Sequence, residues 1–363
     1  MAAEGAGKYT EAYPMKSGDG PSNYAENSLY QKAVVDVAKE VLNKAIAEKL
    51  DMEIFSSANS FHIADLGCSV GPNTFYSVEN ILQAVVFKYK SRGLNSQIPE
   101  FQVFFSDHNS NDFNMLFKSL PQNRRYYAAG VPGSFYSRLF PNASIHFFHS
   151  SYAIQWLSRV PKKVLEKHSP SWNKGRVHYL DSTDEVVRAY EAQYAEDMEC
   201  FLHARAQEMV HGGLMALTTP GYPDDTPPSH SRPCVLYQIL GSCLIDMARK
   251  GVVSEEKIDS FNVPQYYVRP RELEAAVERN GCFSIEIMEN LPNLLEPDTF
   301  LKRSKLVASF MRAAQEGLFK QHFGEEILDE LFDLFQKKVK EQHSEIETRK
   351  TVDILIVLKR KEN

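Results

Sequence analysis

Between residues 28 and 50 the apolar side chains recur at intervals of three and four (Leu29, Val34, Ala38, Leu42, Ala45, Ile46). That spacing predicts one long amphipathic helix, with Asp36, Lys39 and Glu40 on its wet face and Ser28 as its N-cap after the turn-like Pro21-Ser22-Asn23. The period then shortens. Residues 61–66 and 101–107 are compact apolar runs ending in or beside an acid, and each is followed by a helical stretch, at 74–90 and 112–120. Further strands are predicted at 144–148, 214–219, 282–288 and 351–358, with a helix at 186–210 broken from its strand by Gly212-Gly213. Strands alternating with helices predict an α/β fold built on a largely parallel sheet with helices on both faces. A Pro-rich loop at 223–233 and helices at 235–249, 271–279, 301–316 and 324–345 are left over, and they are assigned to a helical cap over the C-terminal edge of the sheet.

Composition narrows the function classes. With 43% hydrophobic and 24% charged residues in 363, the chain has ample core material and no signature of disorder. Its formal charge of −6 disfavours a nucleic-acid partner held by phosphate neutralisation. The five cysteines are odd in number and lack C-x-x-C spacing, which argues against a disulfide framework or thiolate zinc site and for a reducing, cytoplasmic location. No apolar stretch approaches the ~18 residues of a membrane span, and the N-terminal residues lack a signal-like apolar core. The expected partner is a small-molecule acceptor, with neither nucleic acid nor membrane.

The loop after the first strand, Gly67-Cys68-Ser69-Val70-Gly71, matches G-x-S-x-G, the pattern of a hydrolase nucleophile elbow. That reading lacks an upstream strand and an H-G-G-type segment to complete an oxyanion hole. Phosphate-binding patterns are absent as well. What remains is Asp65 at the end of the first strand and Asp107, 42 residues on, at the tip of the second. An acid at that tip accepts hydrogen bonds from a ribose diol in Rossmann-like folds. A ligand with a ribose and a cationic end but no pyrophosphate suits two such acids, and S-adenosylmethionine (SAM) is one.

Four segments make the resemblance specific. They are Met15-Lys16-Ser17-Gly18-Asp19-Gly20 with Ser22-Asn23-Tyr24-Ala25-Glu26-Asn27-Ser28-Leu29-Tyr30-Gln31; Asp65-Leu66-Gly67-Cys68-Ser69-Val70-Gly71-Pro72-Asn73; Gly130-Val131-Pro132-Gly133-Ser134-Phe135-Tyr136; and His149-Ser150-Ser151-Tyr152-Ala153-Ile154-Gln155-Trp156-Leu157-Ser158. Together they resemble the SABATH methyltransferases of plants, a family of carboxyl methyltransferases acting on salicylate, benzoate, jasmonate or loganate and of caffeine-pathway N-methyltransferases. The resemblance spans about 13–360 and includes Phe261-Asn262-Val263-Pro264 and His322-Phe323-Gly324-Glu325.

The resemblance implies a Rossmann-like class I methyltransferase sheet plus cap. It divides the chain into an N-terminal arm and most of the core at 1–222, a mainly helical cap at 223–345 with a returning core strand near 282–288, and a final core strand at 346–363. It places Tyr24, Asp65, Cys68, Asn73, Asp107, His108, Ser134 and Phe135 around SAM, with Phe135 on the adenine; His108 stands where leucine is common. It places Gln31 and Trp156 on the substrate carboxylate, with Tyr24, Tyr152 and Gln155 lining the acceptor pocket. It further implies a magnesium site from Asn173, Asp259, the Phe261 carbonyl and Asn262, and a homodimer, although nothing in the sequence alone forces a dimer.

A carboxylic acid is already ionised at neutral pH, so no general base is expected; the clamp need only hold the oxygen in line with the methyl group. His146 and His149, three apart on a strand, project to opposite faces and are read as packing or pocket-wall residues. Gln155 stands where carboxylate-using relatives carry Met or His and resembles xanthine-methylating members. Two enzyme readings therefore stand: methyl-ester formation on an aromatic, iridoid or terpenoid acid, favoured by Gln31 and Trp156, and N-methylation of a xanthine-like or pyridine-type ring. A non-catalytic ligand-binding relative and a serine hydrolase are minor alternatives. Tyr237, Met247, Gln265 and the Met311 region are expected to shape the acceptor pocket.

Overall fold

The computed structural model describes residues 14–18, 20, 23–51, 60–292 and 304–362. The predicted turn residues Pro21 and Ser22, Asp19 of the first motif, and the start of the helix expected at 301 lie outside them. A seven-stranded sheet organises the chain: β1 (Ser60–Leu66), β2 (Glu100–Asp107), β3 (Tyr127–Pro132), β4 (Ile145–Ser151), β5 (Met209–Gly221), β6 (Phe283–Leu291) and β7 (Val352–Arg360). Their order is β3-β2-β1-β4-β5-β7-β6. The first five are mutually parallel, and β7 is inserted antiparallel between β5 and β6. The expected α/β class and largely parallel sheet are what the chain forms.

Helices cover both faces. On one face lie α2 (Leu29–Lys49), which follows the single turn α1 (Tyr24–Asn27), and α3 (Asn73–Ser91). Their apolar stripes share a buried cluster with Ile63, Val103 and Phe105. On the other face α5 (Asp184–Glu208) packs with Ala64, Phe148 and Met215. The run Ile354–Leu358 shows why a central strand reads as continuously apolar: Leu355 and Val357 enter the first cluster, Ile354, Ile356 and Leu358 the second, and all are fully buried. A short α4 (Phe113–Lys118) is capped by the Asp112 carboxylate, which accepts from Met115 N at 2.9 Å.

A third buried cluster belongs to α6 (Arg232–Arg249), α7 (Glu255–Asp259), α9 (Ser304–Phe323), α10 (Leu328–Glu341) and α11 (His343–Thr348). Most of the leftover helices thus pack on one another. One does not: the helix expected in the cap at 271–279 forms as α8 (Pro270–Asn280) and buries Leu273, Ala276 and Val277 in the sheet cluster beside α5. Met247, expected at the acceptor pocket, is fully buried in the cap core. Gly212-Gly213 does not break the strand. It lies within β5 near a register shift against Ile145 and Phe147, where Gly212 has φ +72° and a Cβ on Gly213 would meet the His146 carbonyl oxygen at 2.9 Å.

Candidate active site

The C-terminal tips of β1, β2 and β4 open into one cleft of about 1010 Å³. Asp65 and Asp107 both line it, as two acids at adjacent strand ends must. The Asp107 carboxylate accepts from Ser69 N through one oxygen and from His108 N through the other, each at 2.7 Å. Burial raises its pKa above 3.8, against the lowering effect of those two amides. Asp65 accepts from the Thr74 hydroxyl and pairs with His149 Nδ1 at 2.6 Å. The glycine-framed loop between them is tightly drawn: Gly67 has φ +83°, and a Cβ there would collide with that of Ala153. Ser69 takes the left-handed conformation at φ 52°.

Cys68, Asn73, His108, Ser134, Phe135, Tyr24, Gln31, Tyr152 and Trp156 also line this cleft, so the structure brings the expected cofactor set and clamp pair to one place. Burial next to Asp107 and Asp65 pushes the Cys68 thiol well up, and burial next to Asp107 does the same for the Tyr24 phenol, so both stay protonated. The Asn73 amide donates to the Ser28 hydroxyl at 2.9 Å, so Ser28 sits at the helix start but binds α3 instead of capping α2.

Gln155 belongs to a second pocket of about 930 Å³ between the cleft and the cap, and Tyr152 lines both. Tyr152 has φ 55° and donates its hydroxyl to Asp353, as does Tyr30 at 2.5 Å. The second pocket includes Gln265, whose side-chain oxygen accepts from the Tyr237 and Tyr267 hydroxyls, and Gln315, which donates to the Tyr237 oxygen at 2.7 Å. The oxygens of Gln155 and Gln315 there, and of Gln31 at the cleft, are buried without a partner among the described residues. Residues 155–157 pair with 264–266: Tyr266 N donates to Gln155 O and Leu157 N to Pro264 O, both at 2.8 Å. That pairing ties the Trp156 segment to the Phe261–Pro264 motif.

The serine hydrolase reading fails on geometry. Ser69 Oγ is buried with no hydrogen-bond partner among the described residues, so no base stands ready to take its proton. For magnesium, Asn173 donates to Asn262 Oδ1 at 2.5 Å and accepts from the Ser182 hydroxyl at 2.7 Å; Asp259 accepts from Gly175 N at 2.8 Å. The Phe261 ring packs into the cap core, and Asn262 Nδ2, a donor, is buried without a partner among the described residues. These residues form a hydrogen-bonded loop network in which Asn173 Oδ1, Asn262 Oδ1 and Asp259 Oδ1 each already accept a hydrogen bond, and a magnesium ion there rests on the family resemblance. Of the two strand histidines, His146 stacks on Phe61 while His149 reaches Asp65; both partners lie on the same face of β1, and β4 shifts register between Ile145 and Phe147, so the simple alternation expected there does not hold.

A family model for SAM dependent carboxyl methyltransferases matches residues 10–361. The chain belongs to that family. The methyltransferase is 48% identical to a loganic acid O-methyltransferase of Catharanthus roseus over 97% of this chain and 95% of that one. It is 39% identical to a farnesoic acid carboxyl-O-methyltransferase of Arabidopsis thaliana, over 96% and 99%. A paraxanthine methyltransferase of Arabidopsis thaliana matches at 38%, over 97% and 99%. A solved structure, loganic acid methyltransferase with SAH, superposes with a TM-score of 0.92 at 47% identity, covering 96% of this chain and 99% of that one. The enzyme is a SABATH methyltransferase of the class I fold that uses SAM to form methyl esters of small acids. Among the described residues, no helix is long and apolar enough to cross a membrane.

Sequence reasoning missed Thr74 and His149, which hold Asp65, and Tyr30 with Asp353, which hold Tyr152. Apart from Thr74, nine residues beyond Asp65, these partners lie far apart in the chain, and no local pattern announces them.

Proposed function

We propose that the acceptor is a hydroxyl-bearing monocarboxylic acid of the iridoid type, with loganic acid as the first compound to test. The observation that carries this is the second pocket, lined by Gln155 and Gln315, whose side-chain oxygens have no partner among the described residues. Such oxygens are satisfied by hydroxyl donors on a ligand and left stranded by a plain hydrocarbon acid. The 48% relative is named for an acid of this kind.

In this reading Asp107, pre-set by two backbone amides, holds the ribose hydroxyls of SAM, and Phe135 covers the adenine. Tyr24, Asp65, Cys68, Asn73, His108 and Ser134 complete that site. SAM supplies an electrophilic methyl group on sulfonium. Gln31 and Trp156, neutral donors lining the cleft with Tyr152, fix the carboxylate without neutralising its charge. Tyr152 walls the junction of the two pockets and Gln155 reads the acceptor beyond it. The residues thus have three tasks: orienting one carboxylate oxygen, excluding water and holding the line of attack. No proton needs to move. The five free cysteines support a reducing, cytoplasmic setting, and the homodimer expectation rests on the family resemblance.

The test is acceptor profiling with methyl-labelled SAM against loganic, farnesoic and benzoic acids and xanthines. Alkali-labile label on loganic acid is expected; base-stable label on a purine, with none on any acid, would overturn the reading.

A further inference from the structure

We propose that Arg205 and Glu208 are positioning residues for methyl transfer: a buried ion pair that latches the loop at 133–140 and so sets both the adenine wall and the support of the carboxylate clamp. The proposal rests on the assignment of Phe135 to the adenine and Trp156 to the carboxylate. Both side chains sit at the end of α5 with no solvent exposure, joined at 2.7 Å. The Arg205 guanidinium also donates to the Phe135 carbonyl at 2.7 Å and the Ser137 carbonyl at 2.9 Å. Glu208 Oε1 accepts from Leu139 N and, at 2.9 Å, from Phe140 N. Four backbone groups of one irregular loop are therefore met by two charges.

This is more than packing. A pair of apolar side chains would fill the volume, but would strand two carbonyls and two amides away from water. The guanidinium fork reads carbonyls two residues apart and the carboxylate reads adjacent amides, so together they specify one loop conformation. The guanidinium is further pinned over the rings of Phe148 and Phe201, at 5.2 and 5.4 Å from their centroids. The other end of the loop is fixed by Gly133 N donating to the Asp107 carbonyl at 2.9 Å.

The held loop carries two functional walls. Ser134 and Phe135 line the cofactor cleft, and Phe135 packs edge-on against Tyr136 at 4.7 Å. The Tyr136 hydroxyl donates to the Trp156 carbonyl at 2.6 Å. A displaced loop moves the adenine wall directly and the clamp through Tyr136, so the pair acts on cofactor affinity and acceptor positioning together.

The test uses Arg205→Lys, which keeps the charge but not the fork, Glu208→Gln, and Tyr136→Phe, which cuts only the clamp arm and leaves the ion pair intact. The readouts are melting temperature, calorimetric SAM affinity, and kcat and KM for the acceptor at saturating SAM. The expected result for Arg205→Lys and Glu208→Gln is SAM affinity about tenfold weaker with kcat also reduced. For Tyr136→Phe it is unchanged SAM affinity and kcat/KM for the acceptor three- to tenfold lower. If the charge variants melt lower yet bind SAM and turn over within twofold of the parent, the pair is merely structural and the proposal falls. Should they not fold, Tyr136→Phe still decides the clamp arm, and parent-like acceptor kinetics there would refute it. Phe135→Ala separates the premise: unchanged SAM affinity in that variant removes the adenine assignment, whereas weakening there but not in Arg205→Lys removes the latch alone.

Discussion

Replacing Asp107 with Asn tests the cofactor assignment at its most exposed point. Each carboxylate oxygen accepts one backbone amide at 2.7 Å, from Ser69 and from His108. An asparagine has only one acceptor oxygen, so one amide loses its partner and faces an NH2 group. A stranded buried donor costs about 1–3 kcal/mol, and weakening a charge-assisted bond to a ribose hydroxyl costs a similar amount. Part of the first cost falls on the free protein, so about 3 kcal/mol is expected in binding, roughly a hundredfold in the SAM dissociation constant. Calorimetry gives that constant; steady-state kinetics at saturating SAM should show an acceptor KM within about twofold of the parent. The pH dependence has the same origin. Burial raises the Asp107 pKa above 3.8, and SAM binding needs the charged form, so affinity should fall on acidification with a midpoint above the ordinary carboxylate value. A dissociation constant for Asp107→Asn within threefold of the parent, in a folded protein, would refute the assignment.

Other consequences are more local. Ser69→Gly relieves a left-handed conformation worth about 1–2 kcal/mol and removes an unpartnered buried hydroxyl, offset by roughly 0.5–1 kcal/mol of chain entropy; methyl transfer should persist with little change in melting temperature, and abolished turnover would contradict a merely conformational role for the serine. Asp353→Leu removes the acceptor shared by the Tyr30 and Tyr152 hydroxyls, at about 1–3 kcal/mol, so calorimetric melting should drop by several degrees and acceptor KM rise, with Asp353→Asn milder on both; parent-like values for the leucine variant would sink the idea. His146 and His178 are held by burial near pKa 4 and 3, below the 6.5 of an unfolded histidine. As pH falls below 6.5 the unfolded chain takes up these protons and the folded one does not. Stability present above 6.5 is therefore lost down to about pH 4 for His146 and pH 3 for His178, at roughly 1.4 kcal/mol per unit per histidine; His146→Leu should flatten the melting curve between pH 6 and 4.5, and an unchanged slope would count against it.

The elements around the cofactor were legible because their physics is local. An apolar run ending in Asp65 and Gly67, then a turn and a 3.6-residue period, reads as strand, loop and helix without knowledge of any neighbour. The edge strand β3 was not legible: no residue of Tyr127–Pro132 is fully buried, so it lacks the apolar signal of the central strands. The amphipathic face of α8 announced burial but not against which layer. Arg205 and Glu208, three apart on a helix, carry no local sign of their burial. Their importance comes from the loop that closes over them about 70 residues earlier. The Asp65–His149 contact likewise follows from the pairing of β1 with β4, which places residues 65 and 149 side by side.

The charge layout of the cleft suggests an order of binding. Two aspartates line it, and among the described residues no lysine or arginine does. An empty cleft of that sign attracts a cation and repels a carboxylate, in a chain whose formal charge is already −6. SAM carries net positive charge, whereas its demethylated product does not. The clamp pair supplies only neutral donors, and the cation lining the second pocket, Arg232, already faces the Asp353 carboxylate, so the bound sulfonium is expected to supply much of the attraction for the acceptor acid. Opposite unit charges about 4 Å apart gain roughly 1 kcal/mol in water and 4 at the effective dielectric of a protein surface. The acid should therefore bind tenfold or more tightly when an unreactive, positively charged SAM analogue fills the cleft than when the neutral demethylated product does, and weakest to the empty protein. After transfer both charges are gone, so the same electrostatics that assembles the complex loosens its products. Calorimetric titration of the acceptor into the three states measures this directly. Equal affinity in all three would show that the acid is held by the clamp alone and that SAM need not bind first.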